Sequence, residues 1–516
     1  MNKLVSVLKG LCMYMYAILC VGILILDVCF QYVEYYRKRH FLLPNIAIVL
    51  CIGIAMFLLS RLLKKKKEKI RQMGDWIDHH MLWCTVGLLC IQLFLCLHLY
   101  FMTGWDSGII TANADLVANG KTDELWNWYY SRCPNNSLLT AVYAVIFFVI
   151  EKVGLPSVIV RLCIVAIQCV LSSWTGYLVY QCTKKIQKGK LCALLAWLVY
   201  VGLIGLSPWV LIPYSDASCL WMPIFMLYLY LTIKDGKKWI KLVAISVLAY
   251  LGYEMKPMVL IVFLAIFAVE ILYFMQDKGK NWKHLLTLLL ALVCTVGICK
   301  AVPLEQLMGF EIDKEATFGM SHYFMMGLNE EHSGVFIIED ADYSESIPTE
   351  KMRVQENIRV AKERIKKMGF VGLTKHGMKK ALVNFDDGTF AWSQEGNFYG
   401  IPLNLKQSPL AKPLQAYYYE NGALQPVFQL VMQSIWMVVV VGMALLGLIQ
   451  VVDRKQEWKM ADFVLAVAML GITAFVMLFE ARARYIYTFV PLFIVSAAYG
   501  YKRVFSFVQT GLYKAL

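Results

Sequence analysis

Four short polar stretches stand at the ends of long apolar runs in this 516-residue chain, and they hold the residues that could do chemistry. The first is GWDSG at 104–108, where Asp106 follows an apolar run directly. A carboxylate just beyond the hydrocarbon avoids the roughly 2.5–3.5 kcal/mol cost of an ionised group at mid-membrane, and it can act as general base toward a hydroxyl. PYSD at 213–216 supplies Tyr214 and Asp216, GYEMKP at 252–257 supplies Lys256, and EARARYIY at 480–487 supplies Glu480, Arg482 and Arg484. Taken singly, each reads as an ordinary interface turn with snorkelling cations. Acids and isolated cations beside an apolar wall are also what transfer from a lipid phosphate needs: the base takes the acceptor proton and the cations stabilise the phosphate left on the lipid. Because the leaving group is a phosphate, one base suffices, and the paired carboxyls of a glycoside hydrolase are not required.

The elements that must position these residues are membrane helices. The chain is 59% hydrophobic and only 17% charged, which excludes a disordered chain, a disulfide scaffold and a soluble enzyme. Runs near the roughly 20 residues of a bilayer crossing fall at 10–30, 41–62, 81–102, 157–182, 191–213, 285–305, 426–451, 460–480 and 485–506. Shorter ones fall at 217–233, 239–255 and 257–275. The expected architecture is therefore an all-α polytopic protein of about twelve transmembrane helices with both termini cytoplasmic. The net charge of +14 is topological: 26 of the 50 Lys and Arg lie at the N-terminus, in 61–71, 184–190, 234–241, 278–283 and 454–459, and in the tail from Lys502, which the positive-inside rule assigns to the cytoplasm. A nucleic-acid partner is not expected. The basic turn of the first hairpin, Arg37 to Arg39, runs against the rule but is outweighed by the seven basic residues of 61–71.

The apolar segment 137–150 cannot be a crossing without moving every later basic loop outside, so parity makes it an interfacial or re-entrant helix in the first outer loop, 103–156. Residues 305–425 hold 17 acids against 13 Lys and Arg, while the rest of the chain nets +18, so this large outer loop is expected to be a solvated extracytoplasmic subdomain. Within it, Val354, Ile358, Ala361, Ile365 and Met368 recur at helical spacing between Thr349 as N-cap and Gly369 as C-cap. The domains are thus a hairpin with its basic loop (1–75), a transmembrane core with the catalytic loop (76–305), the large loop (306–425) and the C-terminal helices (426–516). The fifteen cysteines sit mostly in apolar runs, no zinc spacing occurs, and a lone loop histidine such as His322 is more often structural than catalytic.

Over residues 80–506 the chain resembles the GT-C superfamily of polyprenyl-phosphate-dependent membrane glycosyltransferases, in the branch of protein O-mannosyltransferases and aminoarabinose transferases. The carriers are GWDSG and YYSRCPNNS (129–137) in the first loop, LPSVIVRL (155–162), PYSD, KP and RYIYTFVPLFIVSAAYG (484–500), together with HYFMMGLN (322–329) and NFDDGTF (384–390). The resemblance implies a GT-C-like fold, a catalytic base at Asp106 and a site-ordering acid at Asp216. It implies lipid-phosphate contacts at Lys256 and Arg484, with Arg132, Arg161, Tyr214 and Arg482 as further substrate ligands. Its relatives often carry two adjacent acids in the first loop, whereas Ser107 follows Asp106 here. No cofactor is certain, and a divalent metal on Asp106 and Asp216 stays open. The implied partners are a polyprenyl-phosphate sugar donor, a surface glycan, lipid or protein acceptor, and the bilayer. The competing readings are a transporter or flippase of lipid-linked sugars and a non-catalytic scaffold of a surface-polysaccharide complex.

Overall fold

A backbone in hydrocarbon must satisfy its own N–H and C=O groups, so the apolar runs have to be helices. The computed structural model describes residues 2–30, 44–187, 189–276, 279–392, 401–402, 408–452 and 459–515. Every one of the twelve expected crossings is helical over most of its described length. The first three helices are α1 (Asn2–Cys29), α2 (Asn45–Lys65) and α3 (Lys67–Leu99). The first loop follows as α4 (Asp106–Ala118), α5 (Asn127–Arg132) and α6 (Ser137–Glu151), and the core as α7 (Ser157–Gln187), α8 (Lys190–Tyr200), α9 (Ser215–Ser218), α10 (Trp221–Leu231), α11 (Lys238–Met255), α12 (Leu260–Gln276) and α13 (Trp282–Ala301). The large loop contributes α14 (Leu304–Leu307), α15 (Gly319–Gly327), α16 (Ile338–Glu345), α17 (Glu350–Phe385) and α18 (Ala411–Tyr418); α19 (Gln425–Val452), α20 (Met460–Leu478) and α21 (Val490–Ala515) close the bundle.

Among the described residues, eight helices are long and apolar enough to cross a membrane; they include Pro134–Glu151, and three more apolar helices are shorter. The only strands among the described residues are two-residue pieces, Phe101–Met102 and Ile401–Pro402, paired antiparallel with Phe101 opposite Pro402. The turn with Arg37, Lys38 and Arg39 lies outside the described residues.

The two ends of the bundle differ chemically. At one end the basic runs meet: Lys190 bonds Asp75, Lys184 bonds Asp78 at 2.6 Å, Lys185 pairs with Asp235, and Lys9 reaches Gln276. At the other end lie the turns bearing Asp106, Asp216, Lys256 and Arg484. Helix α6 begins beside that second end at Asn136, and its far end is tied through Asn119 and Ser157 to the first turn of α7, whose Arg161 touches Met102. Both of its termini therefore belong to the same end of the bundle.

Packing builds the hairpin helix α1 into the bundle, against α19 and α20, with the Tyr16 hydroxyl 2.8 Å from Ser496, and it corrects one expectation. The large loop is not wholly solvated: residues 382–392 are all buried, and Trp436 donates to the Phe385 carbonyl at 2.5 Å while Asn45 donates to Asp386 at 3.1 Å. The expected loop helix exists, capped by Thr349 and broken at Gly369, whose φ of 59° suits glycine. Its buried face is offset from the apolar stripe and carries Arg353, Asn357, Ala361 and Met368, whereas Val354 and Ile365 are exposed.

Helices α19 and α21 touch backbone to backbone where Gly442 faces Gly500, because a Cβ on Gly500 would run into the Gly442 carbonyl. Small residues at such crossings are the means of close helix approach in lipid. Gly500→Ala is expected to destabilise the protein by about 1–3 kcal/mol, while Gly297→Ala, with open space around it, is expected to be neutral. Thermal unfolding of the detergent-solubilised variants checks this, and equal midpoints would refute the crossing.

Candidate functional site

Asp106 is the first residue of α4, where the positive end of the helix favours a carboxylate. The chain can turn into that helix because Gly108 has no Cβ to meet the Thr103 carbonyl, and Ser107 Oγ donates to the Pro213 carbonyl at 3.1 Å. This bond brings GWDSG against PYSD. Tyr214 then donates its hydroxyl to Asp106 Oδ2 at 3.1 Å. Burial and the neighbouring Asp106 carboxylate hold that phenol well above its usual range, so it remains a donor at neutral pH.

Behind Tyr214, Asp216 is 2% exposed, and it binds the Lys256 ammonium and, at 3.4 Å, Arg484 Nη1. Thr488 donates to its backbone carbonyl at 3.0 Å. Lys256 and Arg484 are 6% and 5% exposed, so three charges are buried as one cluster. The Arg484 guanidinium also lies 4.8 Å over the Trp105 ring and 5.2 Å over Tyr214, close enough for cation–π attraction. Glu480 receives Arg482 Nε at 2.6 Å and the Tyr485 hydroxyl at 2.9 Å.

These groups enclose a cavity of about 550 Å³. Asp106, Tyr214, Lys256, Arg482 and Arg484 line it, and Asp216 sits behind two of its cations. The apolar lining includes Met255, Met258, Met320, Phe336, Phe475 and Phe479. Arg132 and Arg161 are not in the lining: Arg132 pairs with Glu345 and stacks over Trp128, and Arg161 faces Asp115 at 3.5 Å. The structure adds Cys133, Asn135, Asn136, His322, Tyr323 and Tyr485 and sets Glu480 of the 480–487 turn beside them. All lie in stretches the sequence singled out, but their neighbours in space were not legible there. Burial pushes the Cys133 thiol up to about 12, so it is not a thiolate nucleophile at neutral pH.

The metal option for Asp106 and Asp216 does not fit the arrangement. Asp216 gives one carboxylate oxygen to Lys256 and the other to Arg484, and among the described residues no three His, Cys, Asp or Glu side chains are grouped to hold an ion.

The large loop holds one wall in place through Lys380, which is buried and donates to the carbonyls of Gly327 at 2.8 Å and Phe479 at 2.6 Å. Burial pushes its ammonium down to about 7 from an ordinary 10.5. The unfolded chain therefore binds more protons between these values, and stability contributed by Lys380 rises with pH from about 7 toward 10.5. The thermal midpoint of wild type minus that of Lys380→Met is expected to increase over this window; a flat difference would contradict the burial of a neutral amine. Asp216→Asn is expected to cost about 3–5 kcal/mol because two buried cations lose their counter-charge. Adding Lys256→Met should recover part of that loss, and strict additivity in this double-mutant cycle would show that the pair does not interact.

A family model described as "conserved hypothetical integral membrane protein" matches residues 6–505, thus including the first hairpin and the C-terminal helices. A search of the curated proteins found no match. With nearly its whole length matched, the chain belongs to this family of integral membrane proteins.

Proposed function

We propose that the protein is a membrane glycosyltransferase that moves a sugar from a polyprenyl-phosphate donor to an acceptor hydroxyl, in the cavity between Asp106 and the Lys256, Arg482 and Arg484 cations, on the outer face of the membrane. The observation that carries this reading is the shared cavity: a carboxylate oriented by a neutral phenol, and three cations, line one space with an apolar wall.

Lys256 and Arg484 face Asp216 and Arg482 faces Glu480, and these three cations are the groups of the lining that would meet the phosphate of a polyprenyl-phosphate sugar. In the step itself, Asp106 accepts the proton of the acceptor hydroxyl, and the acceptor oxygen bonds to the sugar's anomeric carbon. The bond from that carbon to the phosphate oxygen breaks, and its electron pair leaves with the lipid phosphate, whose new charge the cations stabilise. The Met and Phe lining suits the first isoprene units of the lipid.

Asp106→Asn keeps the size of the side chain and an acceptor for the Tyr214 hydroxyl while removing the base. Transfer is expected to fall by about 10²–10⁴-fold with an unchanged thermal midpoint. The assay is release of free polyprenyl phosphate from synthetic polyprenyl-phosphate sugars by reconstituted protein supplied with a crude cell-envelope glycan fraction. Full activity in the folded Asn variant would remove Asp106 from the reaction. Movement of labelled lipid between leaflets without release would point to a flippase.

A further inference from the structure

The buried face of α17 is polar where the sequence pattern promised apolar residues, and this offset has a use. Asn357, fully buried on α17, accepts through Oδ1 from the Ser344 hydroxyl at 3.1 Å. Ser344 is fully buried on α16 with its oxygen 2.7 Å from His322 Nδ1; with Asn357 in this orientation the one Ser344 proton goes to Oδ1, which leaves the oxygen to accept from an Nδ1–H. His322 is itself buried on α15, lines the cavity, and packs its ring 4.3 Å from Phe318. The relay Asn357–Ser344–His322 thus runs from the loop helices into the cavity and selects the tautomer with hydrogen on Nδ1 and a lone pair on Nε2.

Besides its carboxylates and hydroxyls, the polar lining holds the cations Lys256, Arg482 and Arg484, suited to phosphate, and the uncharged nitrogen-bearing groups His322, Asn135 and Asn136, suited to hydroxyls. Burial also pushes the His322 imidazole down to about 4, against the opposing pull of Glu480 and Asp340, so the ring is neutral across the physiological range.

We propose that His322 is an acceptor-binding residue whose bare Nε2 receives a hydrogen bond from a second hydroxyl of the acceptor, beside the one deprotonated by Asp106, which makes the acceptor a saccharide or other polyol. This rests on the transferase reading for the identity of the acceptor, but the lone pair itself does not. Ser344 and Asn357 act through His322 as positioning residues.

Two measurements test it. The first is ¹⁵N NMR of histidine-labelled protein in lipid bilayers, with the His322 signals identified by their loss in His322→Gln and the same cell-envelope glycan fraction as the added probe. A protonated Nδ1, a bare Nε2 and an upfield movement of the Nε2 signal on adding glycan are expected. A protonated Nε2 overturns the proposal, and it is what the opposite Asn357 amide orientation would produce. The second is transfer kinetics: His322→Phe is expected to raise the acceptor KM about three- to tenfold, the value of one neutral hydrogen bond, with kcat little changed, and His322→Gln, whose Oε1 can replace the Nε2 lone pair, should restore it. An unchanged KM in the folded Phe variant overturns the proposal. If wild type transfers nothing, the glycan-induced shift alone decides: a moved Nε2 signal keeps this inference while the transferase reading falls, and an unmoved one ends both.

Discussion

The end of the bundle that holds the cavity depends on one buried carboxylate, Asp216, facing two cations from distant parts of the chain. Lys256 arrives from the corner between α11 and α12, and Arg484 from the 3-10 turns Ala483–Phe489 between α20 and α21. None of the three charges could stay buried alone, since the desolvation penalty for an unpaired ion is several kcal/mol. Their mutual attraction therefore fixes where three helix ends meet. Tyr214, two residues before Asp216, is carried by the same turn to Asp106, so the placement of the candidate base is a consequence of the placement of the ion cluster.

The large loop is joined to this arrangement by backbone groups more than by charge. The Ala481 N–H donates to the Gly334 carbonyl at 2.8 Å, Arg482 N–H to Asn384 Oδ1 at 3.0 Å, and Lys380 bridges Gly327 and Phe479. Each bond satisfies a group that would otherwise be buried without a partner. The turn carrying Glu480, Arg482 and Arg484 is thereby held between α17 and the bundle, and movement of the loop would be felt at both the cations and His322. The segment NFDDGTF completes the attachment by entering the core. Its Asp387 accepts from Thr389 N and Ala391 N at 2.8 and 2.7 Å, closing a turn whose carbonyl of Phe385 caps the Trp436 indole.

What the sequence determined by itself is the set of apolar helices, their rough limits and the basic character of several segments between them. These follow from local quantities, namely the length of an apolar run, the positions of Pro and Gly, and the charge of the segments between them. The cap at Thr349 and the break at Gly369 are local in the same sense. The convergence of Asp106, Tyr214, Lys256, Arg482 and Arg484 was also legible, because a membrane confines the ends of helices to two planes and so leaves few places for a polar turn to be.

Only the tertiary structure decided which polar residues face each other within that plane. Arg132 and Arg161 share the composition of the site residues but turn to Glu345 and Asp115. The loop helix shows the same limit: its periodicity marked Val354 and Ile365 as buried, yet Arg353 and Asn357 are inside, because α15 and α16 offer them carbonyls and hydroxyls at the right distance. A buried polar group is stable only with a partner, and the partners of His322, Asn357 and Lys380 lie between 13 and 99 residues away along the chain. No local pattern carries that information; it resides in the packing that brings those segments together.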